Sequence, residues 1–284
     1  MTTNNPSKSS QPTEKVNGPN QSPEQQSQPQ YVHLPPTNHY KVKGDIPNTP
    51  LVASIIAATL GGLVSIGFTI TLLPLIRCLS IGKWDWEWVR PQLGMYMTAM
   101  GLFHLLEFWT TAGWNREKLS VDSFLINNGK EYHYAHAFGL AEYFISSFFW
   151  PNKFHSKWCS PLAISGITTL LLLSQALRSI AMIQASSSFS HLIKTIKLDD
   201  HVLVTWGVYG WTRHPSYAGF FYWAISTQLL LGNIISTLMF IVVLGRFFTR
   251  RIIAEEEYLV KFFGDDYVQY RKRVGTGLPL LVNL

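Results

Sequence analysis

Residues 206 to 223 read WGVYGWTRHPSYAGFFYW, and at their centre Arg213, His214, Pro215, Ser216 and Tyr217 gather a cation, an imidazole, a hydroxyl and a phenol at the threshold of a long apolar segment. Ionisable groups are expensive in or near lipid and mark functional sites there by default. His214 precedes Pro215, which biases it away from helix and lets a short stretch turn backbone groups toward a ligand. A plain helix start, with Pro215 near the first turn and Ser216 near the cap, explains the proline but not the full polar set. Arg251 and Glu255, four residues apart, face the same way on a helix. As an exposed ion pair they would be worth a few tenths of a kcal/mol, but they lie just beyond the last apolar run. His104, Glu107, His136, Glu142 and Arg178 fall within or at the edges of apolar segments. Two readings stay open for this set: a functional role, or a structural pairing of Glu107 or Glu142 with Arg178 that fixes helix packing. His104 and Glu107, three apart, share a face, but H-x-x-E without further ligands is no metal site, and no metal is expected.

The elements that must position these residues are apolar helices. The chain is 47% hydrophobic and only 14% charged, which points to a membrane rather than to water. Residues 51–76 carry no charge and no His, enough to span a bilayer with some tilt, and they begin too far from the N-terminus for a cleaved signal peptide. Further apolar segments run over 91–112, 134–150 and 160–184. Residues 218–245 are again free of charge, with Gly232 and Asn233 at their middle, where a tight turn makes a helical hairpin. With that hairpin, 17 of the 23 Lys and Arg fall on one side of the membrane, a cytosolic bias that a single long span would weaken. The fold expected is an all-α integral membrane protein of about six transmembrane helices, the last two a helical hairpin, with a cytosolic C-terminal helical region. Residues 1–49 read as a disordered polar tail, 50–200 as transmembrane helices 1 to 4 with their loops, and 201–284 as the catalytic region.

Past Arg246, Phe248, Ile252, Leu259 and Phe263 recur near helical spacing while Arg250, Glu256 and Lys261 are assigned to other faces, the pattern of a helix lying at or leaving the membrane surface. Gly264 reads as its stop, and Asp265 as the cap of a following short helix. Cys78 and Cys159 have no spacing of a metal site or disulfide framework. The C-terminal LLVNL carries no prenylation box, and no nucleic-acid partner is expected.

GVYGWTRHPSYAGFFYW, the upstream SSSFSHLIKTIKLDDHVLVTWGVY, and RFFTRRIIAEEEYLVKFFGDDYVQYRKRVGTGLP resemble, in order and spacing, the C-terminal signature of the isoprenylcysteine carboxyl methyltransferases. The resemblance extends from about residue 45 onward, takes in the H-x-x-E and Arg178, and its six-span layout is similar to that of the fungal members. It implies methyl transfer from S-adenosylmethionine to the C-terminal carboxylate of a prenylated cysteine in CaaX-processed proteins, such as Ras-like GTPases and prenylated mating pheromone. It also implies a multi-pass protein of the endoplasmic reticulum membrane with the active site and both termini cytosolic, contacts to membrane lipid, and room for oligomers. The cofactor residues so implied are His201, Val202, Leu203, Val204, Tyr209, His214, Pro215, Ser216, Tyr217 and Glu255, with Arg251 on the substrate carboxylate. Where animal relatives carry a cofactor-contacting Gln, this chain has Lys194. No G-x-G-x-x-G follows a strand, in keeping with a family that uses no Rossmann domain. The alternatives are a phospholipid N-methyltransferase, a sterol reductase-like enzyme, and a non-catalytic membrane receptor or transporter, whose charges would be spread along a pore rather than gathered at one face.

Overall fold

The computed structural model describes residues 46–79, 89–197 and 201–279, so most of the polar tail expected over 1–49 lies outside the described residues. Among the described residues seven α-helices follow one another: α1 Pro50–Leu79, α2 Pro91–Trp114, α3 Lys130–Phe149, α4 Pro161–Ala185, α5 Pro215–Leu230, α6 Ile235–Phe263 and α7 Asp265–Arg273. Four of them open on proline, which lacks only an N–H that a first turn leaves unpaired anyway. Ser160 caps α4 by accepting from the Ala163 N–H at 3.3 Å.

α5 is the centre of the molecule: twelve of its sixteen residues are buried, and it packs against α4, α2 and α6. Phe103, Leu171, Phe220, Trp223, Phe240, Phe248 and Ile252 form the core around it. Gly219 permits the α4 crossing, since a Cβ there would stand 2.8 Å from the Ser174 carbonyl oxygen and 2.9 Å from the Arg178 Cβ. The outer helices turn large apolar side chains outward: Leu51, Ile55 and Phe68 on α1, Leu172 and Leu173 on α4, and Leu238, Val242 and Phe247 on α6. An apolar surface this extensive is matched to lipid. By length and composition, two helices among the described residues could cross a membrane, Pro50–Pro74 and Pro161–Ser188.

The hairpin turns at Gly232, whose φ of 66° suits a residue without Cβ, and Asn233 ties the turn to α3 by donating to the Gly139 carbonyl at 2.7 Å. Glu142 of α3 closes the corner, accepting from the N–H groups of Ile234, Ile235 and Ser236 at 2.8, 3.0 and 2.7 Å. Its carboxylate thus satisfies the free donors at the α6 N-terminus. Of the two partners considered for Arg178, Glu142 is therefore committed elsewhere. At 1.5 Å per residue α5 is about 24 Å long, and about 24 Å separates Ile235 from Arg251, so the return leg carries Arg251 back level with Pro215.

Three local expectations are corrected. The second leg of the hairpin and the C-terminal amphipathic stretch are one unbroken helix of 29 residues. Glu256 is not on an outer face: it lies four residues from Ile252 and eight from Phe248, and all three are buried. Asp265 is the first residue of α7, not its cap; Gly264, at φ 55°, occupies the junction.

Candidate active site

Two cavities lie against each other between the start of α5 and the C-terminal half of α6. One, the more polar of the two, encloses roughly 690 Å³ of empty space, partly continuous with solvent and within the range of small-molecule pockets. It is lined by the 201–204 segment, Tyr209, the 213–217 cluster and Glu255. The other is larger, with about 1790 Å³ of empty space, and mostly apolar, with Ala135, Phe138, Phe220, Ala224, Met239, Phe240, Val243, Leu244 and Phe248 along it. Phe189, Ser190, Ser216 and Tyr217 border both. Glu255 faces the first cavity only, and Arg251 the second only.

Tyr217 carries the connection. Its hydroxyl donates to Glu255 Oε2 at 2.6 Å and accepts from Arg251 Nε at 2.7 Å, so the two residues expected to share a helix face meet through a phenol rather than directly. The guanidinium lies 5.3 Å from the Tyr217 ring centroid and donates a second bond to the His191 carbonyl. The His214 ring stacks on the Tyr217 ring, 5.5 Å away at an interplanar angle of 1°.

Three arginines stand around these cavities, and their partners separate them. Arg178 makes a two-pronged salt bridge to Glu107, with Nη2 to Oε2 at 2.9 Å, and both side chains are buried. From the same guanidinium Nη1 reaches the Ser216 carbonyl at 3.2 Å and Oγ at 3.1 Å. Ser216 therefore serves as an acceptor for Arg178 at the second position of α5, not as a cap. Arg213 pairs with the buried Glu256 at 2.8 Å and donates to the carbonyls of Arg271 and Val274. His214 Nε2 lies 3.1 Å from the same Glu256 oxygen. Burial pushes the Glu256 carboxyl up, but the bonds and charges of His214 and Arg213 outweigh it and hold the group down at about 2. Arg251 differs: among the described residues no carboxylate lies within 4.0 Å of its guanidinium.

All ten residues implied as cofactor contacts line the polar cavity, whereas Lys194 lines neither. His136 lines the apolar cavity, and His104 lies behind its Tyr132: His104 Nδ1 is 2.7 Å from the Phe124 carbonyl and Nε2 3.2 Å from the Tyr132 hydroxyl, and His136 Nδ1 is 3.1 Å from the Tyr96 hydroxyl. Sequence reading missed Phe189 and Ser190, the wall between the cavities, and Tyr267 and Tyr270 on α7. The wall is positioned from a distance: Lys118 Nζ and Asn115 Nδ2 donate to the Phe189 carbonyl at 2.9 and 3.1 Å. Nothing local in SSSFS signals that role.

Comparison with known proteins follows the same outline. Residues 167–261 match the isoprenylcysteine carboxyl methyltransferase family. The protein-S-isoprenylcysteine O-methyltransferase of Saccharomyces cerevisiae is 47% identical over 193 residues, which span 66% of this chain and 79% of that protein. The Homo sapiens protein of the same name is 40% identical over 203 residues, 72% of this chain and 69% of that one. A solved structure of a eukaryotic intramembrane Ras methyltransferase, an isoprenylcysteine carboxyl methyltransferase, superposes with a TM-score of 0.73 at 36% identity, covering 82% of this chain and 78% of that one.

Proposed function

The chain belongs to the isoprenylcysteine carboxyl methyltransferase family, and on that premise we propose how this intramembrane enzyme methylates the carboxylate of a prenylated cysteine. The polar cavity takes S-adenosylmethionine from the cytosol, the apolar cavity takes the prenyl chain from the bilayer, and the two reactants meet across Tyr217. The observation that carries this reading is the unmatched charge of Arg251. It is the one arginine of the three with no acid partner among the described residues, and it stands in the apolar cavity beside the shared wall.

Arg251 is suited to hold the substrate carboxylate, because a guanidinium grips a carboxylate through two parallel bonds and fixes its direction of approach. An α-carboxyl ionises near pH 3.3 to 3.7, so at neutral pH no general base is needed and none is assigned. The cation is best read as steering rather than activating, since a tight grip would blunt the nucleophile. Orientation then supplies most of the acceleration, on the order of 7 to 11 kcal/mol where both partners are held in line.

S-adenosylmethionine, when bound, supplies an electrophilic methyl group on a sulfonium sulfur. The residues lining the polar cavity fit it chemically. Tyr209 and Tyr217 offer aromatic faces that favour a sulfonium by roughly 0.5 to 2 kcal/mol. Glu255, with only the Tyr217 hydroxyl bonded at Oε2, has acceptor capacity left for hydroxyl or ammonium donors. His201 to Val204 line the same space.

The finer reading places this chain as a six-span protein of the endoplasmic reticulum membrane, with its site and both termini cytosolic, acting on CaaX-processed proteins. Support comes from the charge asymmetry along the sequence and the outward apolar side chains of α1, α3, α4 and α6. The purified protein in phospholipid vesicles, given methyl-labelled S-adenosylmethionine and N-acetyl-S-farnesylcysteine, is expected to yield a base-labile methyl ester and no label on the carboxamide analogue. Label appearing in phospholipid amines instead would overturn the reading.

A further inference from the structure

The outward face of α6 carries two cations that neither the packing nor the proposed reaction uses. Leu238, Val242, Val243 and Phe247 are exposed along that face, the apolar stripe matched to lipid, and Ile253 continues it on the far side. Between them stand Arg246 and Arg250, both exposed. Four residues apart on one helix, they lie one above the other, about 6 Å apart along the axis. Neither guanidinium has a partner among the described residues: it makes no hydrogen bond there, and no carboxylate lies within 4.0 Å. Glu257, the next acid on the stripe, is seven residues past Arg250 and about 10 Å further along the axis. Glu131 of α3, which lines the apolar cavity, is also beyond 4.0 Å. Like charges at this helical spacing repel and weaken the helix, and a counter-anion removes that repulsion.

The neighbours on the stripe decide which anion fits. Apolar side chains flank the pair on both sides, so its ligand comes from the bilayer, and the anion at the boundary of hydrocarbon and water is a phospholipid phosphate. A guanidinium presents paired N–H donors to phosphate oxygens and stays charged. A zwitterionic headgroup brings its own ammonium to the same place, whereas a headgroup of net negative charge is attracted by both arginines. Val243 and Phe247, beside the pair, also line the apolar cavity, so a lipid held there stands at the rim of the space proposed for the prenyl chain.

We propose that Arg246 and Arg250 form a binding site for the phosphate of an anionic phospholipid, at the α6 rim of the apolar cavity. A fluorescent phosphatidylglycerol and the matching phosphatidylcholine are titrated into the purified full chain in uncharged detergent. Neither S-adenosylmethionine nor a prenylcysteine is present, so the result is independent of the chemistry proposed above. Wild type is expected to bind the anionic lipid roughly 10- to 30-fold more tightly, each arginine near the headgroup contributing about fivefold. Arg246→Gln with Arg250→Gln is expected to bring the two lipids within about twofold of each other, while the ligand-free unfolding temperature holds or rises because a like-charge pair is gone. Lys272→Gln with Arg273→Gln removes the same charge from the exposed end of α7 and is expected to leave the preference unchanged. Equal binding of both lipids by wild type overturns the proposal, as does a preference that survives in the α6 double variant. An equal loss in the α7 variant overturns it too, since net charge rather than this site would then select the lipid.

Discussion

Arg251 Nε donates to the Tyr217 hydroxyl at 2.7 Å, and that contact joins the return leg of the hairpin to its outgoing leg at the wall between two cavities. The same hydroxyl bonds Glu255, so one oxygen aligns a cation on the apolar side with an acid on the polar side.

Removing that oxygen should disturb both sides while leaving the ring in place. Tyr217→Phe is expected to lower kcat/KM for farnesylcysteine by about 10- to 100-fold, in keeping with hydrogen bonds to charged groups worth roughly 1.5 to 3 kcal/mol. Steady-state kinetics with each substrate varied in turn checks this. A change confined to folding, with normal kinetics in the surviving fraction, is the contrary result.

Filling the apolar cavity should separate the substrates. Leu244→Trp places a larger side chain among Val243, Phe240 and Ala224 and is expected to raise KM for the prenyl substrate at least tenfold, with S-adenosylhomocysteine affinity within twofold of wild type. Loss of affinity for both would contradict the division into two cavities.

The Glu107–Arg178 pair is buried on both sides and braces Ser216. Truncating either partner strands a charge, and Glu107→Ala or Arg178→Ala is expected to destabilise the protein by about 3 to 5 kcal/mol. The apolar double variant Glu107→Leu with Arg178→Met should recover much of that loss in thermal unfolding. Additive losses would mean the two groups are not a pair.

Glu256 gives a pH dependence of definite sign. Its folded pKa of about 2 is below the ordinary 4.5, so its contribution is fully present above pH 4.5 and fades as pH falls toward 2. Wild type should therefore be more stable than Glu256→Gln at neutral pH, with the gap narrowing between pH 4.5 and 2, as followed by tryptophan fluorescence. A constant gap would remove Glu256 from the acid response.

The helices were legible as long apolar runs poor in charge, and the hairpin because Gly232 and Asn233 interrupt a charge-free run. Glu256 was not legible: it sits inside the acidic run Glu255, Glu256, Glu257, where composition argues for solvent, and only its spacing from Phe248 and Ile252 places it inward. Glu142 reaches the α6 N-terminus across more than 90 positions of sequence, and such capping has no local signal. The wall residues Phe189 and Ser190 belong to a loop whose placement depends on bonds from Lys118 and Asn115. Arg251 and Glu255 were legible as a pair, but the phenol between them became visible only when the hairpin brought α5 and α6 together.

The most direct test replaces Arg251 by alanine and measures two quantities on the same preparation: methylation of farnesylcysteine and binding of S-adenosylhomocysteine. If Arg251 steers the substrate carboxylate from the apolar cavity, turnover falls by roughly 100-fold or more while S-adenosylhomocysteine binding stays near wild type. Near-normal turnover in Arg251→Ala would contradict that assignment outright.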